Sequence, residues 1–143
     1  MHRVRYFYLL SMVLGIVTVA CVPQEPDKDP AQVPVAWINA EVQNDEGTMY
    51  ALLAKKSIAL DPKDDADFEW SVETYHLTEW KVNEGRFFYE IIYIDPNNEF
   101  IVEQMEVIQT KKGWKRTKYT DLNNFEFYIA HLEPVVLHTW ESL

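Results

Sequence analysis

Between residues 70 and 120 the sequence alternates in its residue types and is broken by three stretches of turn chemistry. In 70–82, Trp70, Val72, Thr74, His76, Thr78, Trp80 and Val82 alternate with Ser71, Glu73, Tyr75, Leu77, Glu79 and Lys81. Successive side chains of a strand point to opposite faces, so a period of two predicts a strand here. RFFYEIIYI (86–94), EFIVEQMEVIQT (99–110) and 114–120 read as further strands. Asn83-Glu84-Gly85, Asp95-Pro96-Asn97-Asn98 and Lys111-Lys112-Gly113 are the turns between them. Connections that short join antiparallel neighbours. The segment predicts an antiparallel meander.

Ahead of the meander the period is helical. From Val35, the residues Trp37, Ile38 and Val42 mark the edge of one apolar stripe, with Asn39, Glu41 and Gln43 between them. Asn44-Asp45 breaks the run, and Asp45 is a good N-cap for a second helix because its carboxylate can accept from free N–H groups of the next turn. That helix is expected to run to about Lys56, burying Met49, Leu52 and Leu53, with Lys55-Lys56 at its negative end. Residues 61–67, DPKDDAD, form a charged loop. FEFYIAHL (125–132) reads as a short helix or a last strand, and Pro134 ends either. Helices followed by a meander predict an α+β domain over 35–143, its helices segregated on one face of the sheet.

The start of the chain is of another kind. His2, Arg3 and Arg5 precede an uncharged, mostly apolar run, YFYLLSMVLGIVTVA (6–20), which ends directly before Cys21. A basic start, a short apolar stretch and a small residue at the cut site describe a secretory signal peptide over 1–20. The alternative, an uncleaved anchor over 6–22, sits at the low edge of the spanning range of about 17–25 residues. Ala20-Cys21 and the following Pro23 favour cleavage. Residues 21–34 then carry Pro23, Pro26, Pro30 and Pro34 among alternating charges, which predicts a flexible, extended tether.

Removing the first 20 of 143 residues leaves 123, enough for one domain with a real core. The signal takes Arg3 and Arg5 and no acid with it, so the net charge moves from −10 to −12. That balance excludes the basic footprint that nucleic acid requires. Cys21 is the only cysteine, so no disulfide is expected within the domain.

Two resemblances follow from these residues. Ala20-Cys21 at the end of the apolar run resembles the lipobox of bacterial lipoproteins, with Thr18 where a Leu is usual. The resemblance implies that Cys21 receives a diacylglyceryl group and, after cleavage, an acylated N-terminus, palmitate among the expected chains. WINAEVQNDEGTMYALL (37–53), RFFYEIIYID (86–95) and KKGWKRTKY (111–119) are together similar to the NTF2-like (cystatin-like α+β) superfamily. That likeness implies a helical hairpin packed into the concave face of a curved sheet, a cone, as in small lipoproteins of Gram-positive bacteria. The superfamily hosts isomerases, dehydratases, transport adaptors and accessory domains, so the fold alone assigns none of these.

Enzymes of that superfamily work inside the cone with a carboxylate or His as base and Tyr as acid. The residue types available are His76, Tyr75, Tyr89, Glu90, Tyr93, Glu106 and Tyr119. His76, Tyr89, Tyr93 and Trp114 are the candidate pocket-lining residues; each is also an ordinary sheet-packing residue, and none is assigned a catalytic role. Glu103 and Glu106, three apart on a strand, face opposite sides, while Glu90 and Glu106 could share one. His131 and His138 stand seven apart around Pro134, which matches no metal-ligand pair, and no metal or cofactor is expected. Lys111, Lys112, Lys115, Arg116 and Lys118 form the one basic run, an ordinary charged hairpin or a docking patch for an anionic envelope polymer.

The reading is a lipid-anchored protein at the extracytoplasmic face of the cell membrane, with a non-enzymatic binding or scaffolding domain. Its membrane contact is the lipid, and its partner a second copy or another envelope protein. The alternatives are a small-molecule cone with isomerase- or dehydratase-type activity, and an accessory subunit dimerising through its sheet face.

Overall fold

The computed structural model describes residues 29–140. The expected signal peptide, Cys21 and residues 22–28 of the expected tether lie outside them. Among the described residues no helix is long and apolar enough to cross a membrane.

The first helix, α1 (Gln32–Val42), begins three residues before the expected boundary. Residues 32–34 belong to the domain rather than to a tether, and Val33 and Pro34 are buried. The cause is Asp29-Pro30. Asp29 accepts from the N–H of Ala31 through its carboxylate and from that of Gln32 through its carbonyl. Pro34 sits in the first turn of the helix, where an N–H would be unpaired anyway. Asp45 caps the second helix as expected, accepting from the N–H of Thr48 at 2.7 Å. That helix, α2 (Glu46–Leu52), stops short of Lys56, because Leu53 turns extended and pairs with the edge of the sheet.

Residues 68–74 do not join the sheet. The N–H of Val72 goes to the Asn39 side chain at 2.7 Å, and the carbonyl of Trp70 to that of Gln43 at 2.6 Å. The charged loop before them is likewise tied to the helices, and a Cβ at Gly47 would stand 2.3 Å from the Asp64 carbonyl. Only glycine admits that approach. Polar side chains on and just after α1 thus take backbone donors and acceptors that a strand would otherwise offer to a neighbour.

The first strand is therefore β1 (Tyr75–Asn83), shorter at its start than the alternation suggests. It is followed by β2 (Arg86–Ile94), β3 (Phe100–Thr110) and the short β4 (Gly113–Arg116), all antiparallel. The tail resolves into a helix, α3 (Phe125–Ile129), and a fifth strand, β5 (Pro134–His138), which pairs with β1. Pro134 opens an edge strand, a position that needs no ladder donor. The sheet order is β4-β3-β2-β1-β5.

The α+β class is as expected, but the helices are not all on one face. Trp37, Ile38, Met49 and Leu53 of α1, α2 and the residue after it form one core with Leu77, Phe87, Tyr89, Ile91, Tyr93, Met105 and Val107. The opposite face carries a smaller cluster, in which Phe125 and Ile129 of α3 cover Trp80 and Phe88. Phe100 and Val102, further along β3, remain exposed.

Candidate functional site

The register of the sheet decides where the candidate residues stand. His76 shares the face of Thr78 and Trp80, opposite α1 and α2. Its Nε2 lies 3.2 Å from the Thr78 hydroxyl, and its ring stacks on Trp140. Tyr89 and Tyr93 point under the helices and are sealed in the core. Trp114 lines a cleft of about 360 Å³ between α1 and the β3–β4 hairpin. Only Tyr89 and Tyr93 thus fall together, within the core; His76 and Trp114 stand apart from them and from each other. Glu103 and Glu106 face opposite sides; Glu90 and Glu106 do share one, where Glu90 accepts from Gln104 and Glu106 from Arg86.

Two arrangements carry chemistry. One is a polar knot beneath α1. Arg116, 1% exposed, donates to Glu103 at 2.8 Å, to Asp121 at 3.1 Å and to the Lys118 carbonyl at 2.9 Å. Its guanidinium lies 4.1 Å from the centre of the Trp37 ring. Tyr93 donates to Glu41 at 3.3 Å. Burial, then the nearby Glu41, push the Glu103 carboxyl up to about 8, against the pull of Arg116. Burial, followed by the charges of Glu41 and Glu103, raises the Tyr93 phenol well above its ordinary range. Every Arg116 nitrogen has a partner, so the knot serves the fold. Arg116 shares the inward face with Trp114 by the same alternation, and that parity was the signal for it among the lysines of the basic run.

The second is an open cleft of about 490 Å³ between the start of α1 and strands β1 and β5. Leu77, Phe87 and Leu137 supply apolar wall, and Asp29, Glu79 and His138 supply polar groups. Tyr89, behind the wall, donates its hydroxyl to Glu79; burial first and that bond second raise its phenol far above the ordinary value. His138 Nδ1 is 2.7 Å from the Tyr75 carbonyl, and a carbonyl only accepts, so Nδ1 carries the proton. The ring stacks on Tyr75 at 4.1 Å. A register shift between Leu77 and Thr78 brings Leu137 and His138 together to this rim. Asp29 and Glu79 were not among the candidates read from the sequence, and His138 was weighed there only as half of a metal-ligand pair; Asp29 and His138 lie in segments whose structure the local pattern misstates. No cation of the described residues pairs with Asp29 or Glu79. The cleft is suited to a cationic side chain on an apolar stem.

Beside this cleft runs β5, the open edge of the sheet. Val135, Val136 and Leu137 are 51%, 53% and 43% exposed, and among the described residues no strand lies beyond them. No family model matches the chain, and neither a curated protein nor a solved structure does.

Proposed function

We propose that this protein is a lipid-anchored binding module at the extracytoplasmic face of the cell membrane, held by acyl chains on Cys21. Its domain is read as a variant of the NTF2-like plan, non-enzymatic, and its task as capturing an extended segment of another envelope protein. The single observation that carries the binding role is the uncharged, exposed edge strand β5 running along an acidic cleft. An unpaired edge offers a row of N–H and C=O groups to an added strand, and natural proteins usually blunt such an edge with charge. Strand addition draws affinity from the backbone and specificity from pockets that take alternate side chains. Here the pocket holds Asp29 and Glu79, so the captured segment carries Lys or Arg at the position that enters it. A segment of that charge also complements a chain of net charge −10.

The anchor reading rests on the apolar run that ends at Ala20-Cys21. Stable anchoring takes more than one acyl chain. Cys21→Ser is expected to abolish fatty-acid labelling and signal cleavage; a variant processed and labelled like the wild type overturns it. The binding role is tested by backbone amide shifts on adding a short strand-forming peptide of alternating Val and Thr with one central Lys. Perturbation confined to β5, β1 and Glu79, and lost when that Lys is Glu, is the expected result. If neither peptide perturbs β5, or if β5 instead mediates a concentration-dependent dimer, the reading fails.

A further inference from the structure

The chain has 23 acidic residues against 13 basic ones, yet one small cleft has lysines as its only charged lining residues. Lys56, just beyond α2, meets Lys111, Lys112 and Lys115 of the β3–β4 hairpin around a space of about 300 Å³. Separation in sequence hides this grouping: the hairpin supplies three of the four, and the fourth comes from a residue expected only to cap a helix. None of the four pairs with a carboxylate of the described residues.

Two of the ammonium groups are held in place. Lys56 Nζ donates to the Tyr50 carbonyl at 2.6 Å and lies over the Tyr50 ring. Lys115 Nζ donates to the Ala51 carbonyl at 2.8 Å. Both bonds satisfy carbonyls in the last turn of α2, a role that accounts for these two lysines as C-terminal caps. An ammonium has three donors, so each keeps two for another partner. Lys111 and Lys112 have no such role. They sit on a tight turn in which the Thr110 hydroxyl donates to the Gly113 carbonyl and accepts from the Lys112 N–H. Gly113 takes a φ of 91°, which a side chain would oppose. The turn therefore presents its lysines from a fixed backbone. Their crowding has a cost: burial and the neighbouring lysines lower the Lys56 and Lys115 amines.

We propose that Lys56, Lys111, Lys112 and Lys115 form a binding site for the phosphate group of a small ester. Four lysines from two separate segments around one small space suit a tetrahedral, doubly charged oxyanion better than a carboxylate, which has two oxygens and one charge. The space exceeds a bare phosphate, leaving room for the start of the esterified group. A flat anionic membrane is the poorer partner, because it also meets the acidic remainder of the surface. The site is separate from the cleft beside β5 and does not depend on the role proposed there.

The test is calorimetric titration of the full chain, held in neutral detergent, with glycerol phosphate, and with glycerol as the uncharged control. Saturable binding of glycerol phosphate alone is expected, weakening as salt is raised. Lys111→Gln and Lys112→Gln touch no structural bond, and each is expected to weaken binding about tenfold, the loss of one charge-assisted contact. Lys55→Gln, beside the cleft but not lining it, is expected to leave affinity unchanged. Absence of saturable binding overturns the proposal, as does equal weakening by Lys55→Gln, the mark of a diffuse charge effect. Vesicles containing phosphatidylglycerol that bind the lysines while glycerol phosphate does not also overturn it, and make the patch a membrane contact.

Discussion

The two edges of the sheet are treated in opposite ways. At β4 the chain leaving α2 lies alongside the strand: Leu53 bridges Arg116, and the N–H of Ala54 donates to the Arg116 carbonyl at 2.8 Å. Lys115 ties the same strand to α2, and the Arg116 side chain is locked beneath α1. At β5 no such cover exists among the described residues, and three consecutive apolar residues are exposed there. An exposed apolar edge is a liability that folding alone does not require. One edge is thus finished by packing, and the other is left for a partner.

The largest effect is expected from opening the closed edge. Arg116→Ala removes a buried cation from Glu103 and Asp121 and leaves a void under Trp37. Losing three buried hydrogen bonds together with that packing is expected to cost about 3–5 kcal/mol, the range of large core truncations. Denaturant unfolding should show that loss, and adding Glu103→Leu should recover part of it. A loss within the range of surface substitutions would place Arg116 outside the frame of the fold.

The same knot sets a pH dependence. The folded Glu103 carboxyl is raised from 4.5 to about 8 by burial and Glu41, so the folded state holds its proton more tightly than the unfolded chain. Its contribution is full below the unfolded value and is lost as pH rises toward the folded one. Stability should therefore fall as pH rises from about 5 toward 8. Glu103→Gln should flatten that slope, as thermal unfolding at several pH values would show. A wild type equally stable across the range would mean that Arg116 keeps Glu103 ionised throughout.

A smaller change separates the cover from the knot. Ala54→Pro removes the one N–H that Ala54 gives to β4. Leu53 already has an extended ψ of 134°, which a following proline favours. The expected cost is that of one hydrogen bond with its acceptor stranded, about 1–3 kcal/mol. The measurement is faster amide hydrogen exchange in β4 with no change in β5.

Where local chemistry repeats over many residues, the sequence was a sound guide. Strands β2 and β3 and the Asp45 cap stand where alternation and capping put them. It misled where a distant group claims the backbone. Residues 70–74 alternate like a strand, but Asn39 and Gln43 take their polar groups. Asp29-Pro30 reads as tether, yet it starts a helix because Val33 and Trp37 have a core to enter. Of the candidate site, Tyr89 and Tyr93 were legible as inward residues of a strand. Their partners Glu79 and Glu41 were not, because a cross-strand neighbour and a helix overhead are settled by register and docking rather than by spacing along the chain.

The last prediction isolates the open edge from stability altogether. Val136 is 53% exposed on the face away from α1 and α2, opposite Thr78 of β1. Val136→Lys therefore buries no charge, and stability should stay within about 0.5 kcal/mol of wild type, as for ordinary surface changes. A lysine on an edge strand is nonetheless the device by which proteins discourage strand addition. Peptide-induced amide shifts at β5 should consequently disappear while the melting curve is unchanged. If peptide binding survives, the captured segment lies in the cleft between α1 and β1 and does not pair with β5. If stability drops by more than about 1 kcal/mol, beyond the surface range, Val136 is already covered within the chain, and the contrast between the two edges does not hold.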